Sequence, residues 1–363
     1  MRIRLGPLLG VLLFALLPMP WSANRVVAEH SFEHVTRQMI RAAWIGRIDD
    51  VERFLRLGAD PNGTDENGIT ALMRAAVGSH LHVAEYLIKV GAKIDQVDDE
   101  NRTALAWAAS AGHLRVAEFL VAKGAAVGRT DRDGDTPLMD AAYGGHRDVV
   151  QFLLRHDRRV NYRNFKGDTA LLYAMRARSQ PIAMELLEAG ADPRIANDAG
   201  ETALHYSAVD GNLAMMRALV AARADVNVAS AEGRTPLMWA ALHRHTELVR
   251  LLVARGAKID VRAGELDGGV SALILAAWTD NVPVMDVLLG AGANPDLTDF
   301  YGETALIWAA GSGRAAAVRR LVAAGADLKR RTPHGGTALD HARAAGFGEI
   351  VRILEAAEVQ PRR

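Results

Sequence analysis

Nine segments of the chain share one template, and their anchor hydroxyl recurs at near-constant spacing: Thr70, Thr103, Thr136, Thr169, Thr202, Thr235, Ser271, Thr304 and Thr337. Every step is 33 residues except Thr235 to Ser271, which is 36. A fixed period of this length marks a stack of supersecondary units. A single unit cannot bury enough apolar area to offset ordering costs of about 1–2 kcal/mol per residue, so the copies must stack. Such a stack offers a long ribbed surface instead of one catalytic cleft.

The third copy shows the unit. It reads Asn101-Arg-Thr-Ala-Leu-Ala-Trp-Ala-Ala-Ser-Ala-Gly-His113, then Leu-Arg-Val-Ala-Glu-Phe-Leu-Val-Ala-Lys-Gly-Ala125. Thr103 suits a helix N-cap, where its hydroxyl accepts an orphan backbone N–H. Pro137 and Pro236 follow the anchor in two copies, at the helical position that tolerates proline. Gly112, Gly145, Gly211, Gly313 and Gly346 supply the tight turn after the first helix. A second amphipathic helix carries Val116, Phe119 and Leu120 and stops at a Gly-Ala pair such as Gly124-Ala125. An Asp/Asn/Gly-rich finger, for example Asp131-Arg-Asp-Gly-Asp135, leads to the next copy.

Gly134-Asp-Thr-Pro-Leu-Met-Asp-Ala-Ala-Tyr-Gly-Gly-His146 and Gly200-Glu-Thr-Ala-Leu-His205 are similar to the core of the ankyrin repeat. With a degenerate first copy (Ala42-Ala43, Gly46, Gly58-Ala59-Asp60), the chain resembles an ankyrin protein of about ten repeats over residues 31–357, with 358–363 as a tail. The resemblance implies an all-α ankyrin-repeat solenoid of helix-turn-helix units with β-turn fingers. It also implies that the Gly-His column (His80, His113, His146, His245) is structural.

Departures from the template define expectations. The histidine three residues after the anchor survives only at His205; Met73, Met139, Met238, Ile274 and Ile307 replace it elsewhere, which predicts apolar packing. Glycine is lost after the second helix at Asp157 and Arg223, and between helices at Arg178, Arg244 and Asp280, so repeats four to six are expected to be the least regular. Arginine tolerates the left-handed region poorly, which predicts strain or rearrangement near Arg223. The three extra residues fall within Val261–Gly268 and lengthen one finger.

The N-terminus reads as a secretory leader over residues 1–28: Arg2 and Arg4, an apolar run from Leu8 to Leu17, then Pro18, Pro20 and small residues, with cleavage after residue 22, 23 or 28. The run is short for a bilayer, which takes about 20 apolar residues, so no stable membrane insertion is expected after cleavage. No cysteine is present, which excludes disulfides, cysteine nucleophiles and a lipoprotein anchor. Formal charge is +0, and removing Arg2, Arg4 and Arg25 leaves 0 − 3 = −3, which gives no support for nucleic acid as partner. Leader and repeats together resemble exported ankyrin proteins of Gram-negative bacteria, which implies the periplasm, with secretion as the alternative.

No nucleophile elbow, zinc-binding His-Glu-x-x-His or phosphate loop occurs, so no catalytic residue and no cofactor is assigned. Asp131–Asp135 departs from a calcium loop because its glycine comes too early. His80-Leu-His82 and His243-Arg-His245 read as repeat positions, not metal ligands. The expected function is therefore non-enzymatic protein binding by a monomer, possible partners including an exported enzyme that it regulates or protects. The alternatives are a secreted effector of host proteins, or an enzyme whose site lies on the long finger near Glu265 and Asp267.

Helical spacing selects the candidate surface. Leu at +2 from the anchor and Ala at +5 and +6 share one face, so +4, +7 and +8 lie opposite. Column +4 holds Trp107, Tyr173, Tyr206, Trp239 and Trp308, and column +7 adds Tyr143 and Trp278. In the resembled family this side forms the concave binding groove; the competing expectation is that the +4 rings wedge between repeats for stability. Phe165, Lys166, Phe300 and Tyr301 at the finger tips form a second candidate surface.

Overall fold

The computed structural model describes residues 21–359. Twenty α-helices and one 3₁₀ turn make up the regular structure of these residues, and the only β pairing among them is two isolated bridges, Thr64 with Thr70 and Thr298 with Thr304. The helices alternate as ten pairs. The expected all-α repeat fold is therefore present.

The residues group into two compact units, one holding the chain to Ala108 plus His113–Ala126, the other Ala109–Gly112 plus Val127 onward. Within each unit, first helices pack on first helices and second helices on second helices, so each unit has two helical layers. The second unit holds the pairs from Pro137–Gly144 with Arg147–His156 to Ala338–Ala344 with Gly348–Val359. The last helix thus runs past the expected start of the tail at residue 358. The charged and apolar parts of the leader lie outside the described residues, and the first helix, Trp21–Trp44, spans the three candidate cleavage points.

From the second repeat on, each first helix is short, and its start is set by the anchor. The Thr136 hydroxyl accepts from Met139 N–H at 3.3 Å, and Thr169, Ser271 and Thr304 do the same for the residue three on. Behind each anchor the +2 leucines and the alanine pair are buried, including Leu171, Leu204, Leu237, Ala174, Ala240 and Ala241. The core lies between the helix layers, on the face that helical spacing selected.

The residue three after the anchor corrects one expectation. His205 Nδ1 accepts from the Thr202 N–H at 3.0 Å, while its Nε2 meets the Arg234 carbonyl at 3.1 Å. Met73 and Met238 do not become purely apolar: each sulfur accepts the anchor N–H, at 3.4 and 3.5 Å. Thioether sulfur is a weak acceptor, so part of the histidine's role survives.

The lost glycines behave differently from one another. Arg178, Arg223, Arg244 and Asp280 keep the left-handed turn at φ 55, 67, 66 and 55°. At Asp157 the chain instead turns extended, at φ −120°, and the carboxylate binds the Arg159 guanidinium at 3.0 Å. The irregularity expected across repeats four to six is found at these cap residues and in helix length: Pro137–Gly144 and Ala203–Asp210 have eight residues and Arg147–His156 ten, against seven and nine in the repeat that follows.

A further requirement governs the inter-helix glycine. A Cβ on Gly112 would overlap the His146 ring at Nδ1, and one on Gly211 would lie 2.5 Å from His245. The histidine of one repeat occupies the space a side chain would fill on the previous turn. Where arginine replaces that glycine, at Arg178 and Arg244, the next repeat carries Asn212 and Asn281 in place of histidine.

Candidate functional site

Six of the fingers preceding the first helices are each built on one side chain. Asp98 Oδ1 accepts the N–H groups of Glu100 and Arg102, at 2.9 and 2.8 Å, and so folds the finger back on its base. Asp65, Asp131, Asn164, Asn197 and Asp299 do the same in their repeats. Short side chains of this type can replace a backbone turn acceptor. The Asp131–Asp135 segment is thus a repeat turn.

The +4 column meets these finger acids. Trp107 Nε1 donates to Asp98 Oδ2 at 3.0 Å and Trp308 Nε1 to Asp299 Oδ2 at 2.8 Å; Arg74 makes the equivalent contact to Asp65 at 3.0 Å. Tyr173 donates to Asp135 at 2.6 Å and Tyr206 to Glu201 at 2.7 Å. Trp239 lies under the Arg234 guanidinium at 4.5 Å and stacks on His243 at 5.8 Å. All five aromatic residues of this column are half-buried. The polar tips of Trp107, Trp308, Tyr173 and Tyr206 clamp fingers to first helices.

Two of these residues, with Arg176, join an exposed neighbour in the second unit. Tyr143 packs edge-on against Tyr173 with centroids 5.7 Å apart. Arg176 lies over Tyr173 at 5.4 Å and Tyr206 at 5.8 Å, and its guanidinium binds Asp168 at 3.0 Å and the Tyr206 hydroxyl at 3.1 Å. Burial, then the bond to Asp135, pushes the Tyr173 phenol well above its ordinary pKa, so it stays a donor. Burial opposes the charge on Arg176, but Tyr206 and Asp168 outweigh it and hold the guanidinium protonated. The result is a row, Tyr143–Tyr173–Arg176–Tyr206, whose three inner members are fixed by internal bonds. A second aromatic pair, Trp278 and Trp308, meets edge-on at 6.5 Å.

Exposure separates the candidates. Tyr143 is 57% exposed and Trp278 42%, while the finger-tip rings Phe165, Phe300 and Tyr301 are 71, 49 and 65% exposed. The tip rings nevertheless have neighbours: Phe165 and Phe300 lie against the backbone of Gly134 and Gly269, and Arg262 lies over Phe300 at 5.3 Å. Lys166 pairs with Asp133 at 3.5 Å. The structure therefore brings Tyr143, Tyr173 and Tyr206 into one row, with Trp278 and Trp308 as a separate pair, and leaves the finger tips as a different surface. Arg176 and the finger acids escaped the sequence reading. The signal for the acids was present: Asp65 and Arg74, Asp98 and Trp107, and Asp299 and Trp308 are each nine residues apart.

Histidines are tied to backbone. Nε2 of His80, His113, His146 and His245 meets the carbonyl of Trp44, Val77, Ser110 and Val209 at 2.9, 2.9, 2.9 and 3.1 Å. His82 reaches Gly46 O at 3.1 Å, and His243 stacks between Trp239 and His245. Among the described residues no three His, Asp or Glu side chains converge in a way that could hold a metal ion, and no helix is long and apolar enough to cross a membrane.

With cap, turn and finger geometry established, the family model for ankyrin repeats matches residues 39–131, 124–197, 180–263 and 273–362. The chain belongs to the ankyrin-repeat family. No curated protein matches it closely enough to extend that assignment. Ankyrin repeats indicate a protein–protein interaction scaffold, and the ribbed first-helix and finger surfaces described above are what such a scaffold presents.

Proposed function

We propose that this ankyrin protein is an exported binding scaffold that holds a protein partner against the first-helix face of repeats four to six, with Tyr143 as its most exposed ring. The row Tyr143–Tyr173–Arg176–Tyr206 carries the reading. Tyrosine and arginine dominate binding hot spots because they bury much area at small entropic cost. Here that cost is lowered further, since Asp135, Asp168 and Glu201 already hold the two inner tyrosines and the arginine. Trp278, leaning on Trp308, supplies a second anchor, and Phe165, Lys166, Phe300 and Tyr301 form a finger surface for a partner that reaches around the repeats.

Export is read from the leader in residues 1–28, the periplasm rests on the resemblance to exported ankyrin proteins of Gram-negative bacteria, and regulation or protection of an exported enzyme is the narrower form of the proposal. Co-purification from the native envelope fraction tests the binding surface. A stoichiometric protein captured by the wild type and lost from a Tyr143→Ala, Trp278→Ala variant of matched melting temperature is the expected result. Equal capture by both proteins moves the site to the fingers, and no capture by either rejects the scaffold reading. Deleting the gene and assaying periplasmic enzymes tests the narrower form, which fails if every activity is unchanged.

A further inference from the structure

Four repeats carry a carboxylate one residue before the anchor: Asp135, Asp168, Glu201 and Glu303. Three are satisfied from within the protein. Asp135 receives Asn164 Nδ2 and Tyr173 OH, both at 2.6 Å. Asp168 receives Arg176 at 3.0 Å and Asn197 at 3.1 Å, and Glu201 receives Tyr206 OH at 2.7 Å. The residues of the next repeat that correspond to Asn164 and Tyr173, counted from Glu303, are Thr332 and His341. Neither donates to Glu303, whose side chain makes no hydrogen bond or ion pair among the described residues.

A pocket of about 340 Å³ lies there instead, lined by Tyr301, Glu303, Thr332, His334, Gly336 and His341. That volume is at the small end of the range for ligand pockets, roughly 300–1,000 Å³. Its chemistry is a half-buried carboxylate beside a phenol ring and two imidazoles. Burial, and then the nearby Asp299, push the Glu303 carboxyl above its ordinary pKa. A carboxylate in that setting gains most from a cation brought in from outside. Flat aromatic walls favour a planar guanidinium over a hydrated ammonium.

We propose that this pocket takes an arginine side chain of a protein partner, with the Glu303 carboxylate as counter-charge and the Tyr301 and His341 rings as its walls. The arginine completes the arrangement that Arg176 makes with Asp168 and Tyr206 inside the protein. The inference rests on the scaffold reading for the source of the arginine, but the pocket's chemistry can be probed without the partner.

The experiment follows the His341 and His334 imidazole resonances of the full mature chain at pH 8 during titration with N-acetyl-arginine amide. The neutral isostere N-acetyl-citrulline amide and a Glu303→Gln variant are the comparisons. The expected result is a saturable shift of His341 in the millimolar range with the arginine probe, weakened at least fivefold by Glu303→Gln and absent with citrulline. Matched melting curves show that the variant is folded. No saturable shift, an equal response to citrulline, or unchanged binding by Glu303→Gln overturns the proposal. If the probe is silent while the native partner is still captured, the pocket fails alone; if no partner is captured at all, the scaffold reading fails with it.

Discussion

Gly112 faces the His146 ring so closely that a Cβ added to it would stand 2.7 Å from the imidazole carbons, while the His146 Nε2 reaches past it to the Ser110 carbonyl at 2.9 Å. The glycine is thus required twice, once by its φ of 75° and once by its neighbour. Gly145, at φ 76° with nothing within 4 Å, meets only the first requirement. Gly145→Ala should lower stability by about 1 kcal/mol, the cost of a left-handed alanine. Gly112→Ala should cost roughly 2–4 kcal/mol, because overpacking adds to that strain. Urea unfolding of both variants checks the difference, and adding His146→Asn to Gly112→Ala should recover the overpacking part.

Arg223 holds φ 67° on an exposed turn with no ion pair among the described residues. Arg223→Gly should therefore stabilise the protein by about 1 kcal/mol. Arg178→Gly is the informative contrast, because Arg178 also binds Asp210 at 2.9 Å and its replacement surrenders that contact. A smaller gain in denaturation midpoint for Arg178→Gly than for Arg223→Gly is the expected outcome.

Tyr173 and Tyr143 touch each other but should respond differently. Tyr173→Phe leaves the half-buried Asp135 with one donor fewer and should cost about 1–2 kcal/mol. Tyr143→Phe changes only an exposed ring edge and should stay within about 0.5 kcal/mol. Thermal melts of the pair decide whether the row is held from the inner residues outward.

These contrasts show what the sequence could and could not display. The period located the helices, the core columns and the ribbed surface, because they follow from spacing alone. It also placed Tyr143 and Trp278 in the +7 column of the first-helix face. What escaped it was the polarity of the +4 column. Trp107 and Tyr173 look like wedges or anchors when read as rings, and only the three-dimensional return of the finger brings Asp98 and Asp135 to their polar tips. Likewise the constraint between Gly112 and His146 spans 34 positions, across two turns of different repeats, where helical spacing carries no information.

His205 supplies a pH test. Burial lowers its pKa below the ordinary histidine value, outweighing the bond to the Arg234 carbonyl that favours the cation. The folded protein keeps this ring neutral while the unfolded chain takes up a proton below about pH 6.5. Its contribution to stability is therefore complete above that pH and is lost as pH falls toward the depressed folded value. His205→Met, the residue three other repeats already use, should flatten the loss of stability between pH 7 and pH 5. Parallel slopes for the two proteins would reject the assignment.

Backbone bonds join each finger tip to the next: Ala231 N–H donates to Ala199 O at 2.8 Å, Gly264 N–H to Glu232 O at 2.7 Å, and Phe300 N–H to Gly268 O at 2.8 Å. The long finger enters this row at Gly264 and leaves it at Gly268, so its additional length, with Leu266 at the exposed tip, bulges out between two intact rungs. Chain length at that point is uncoupled from the register of the rows on either side. A graft at Leu266 that keeps Asp267 on Arg234 would ride on the ladder as a passenger, which makes this turn the natural socket for fitting the molecule with a new recognition loop.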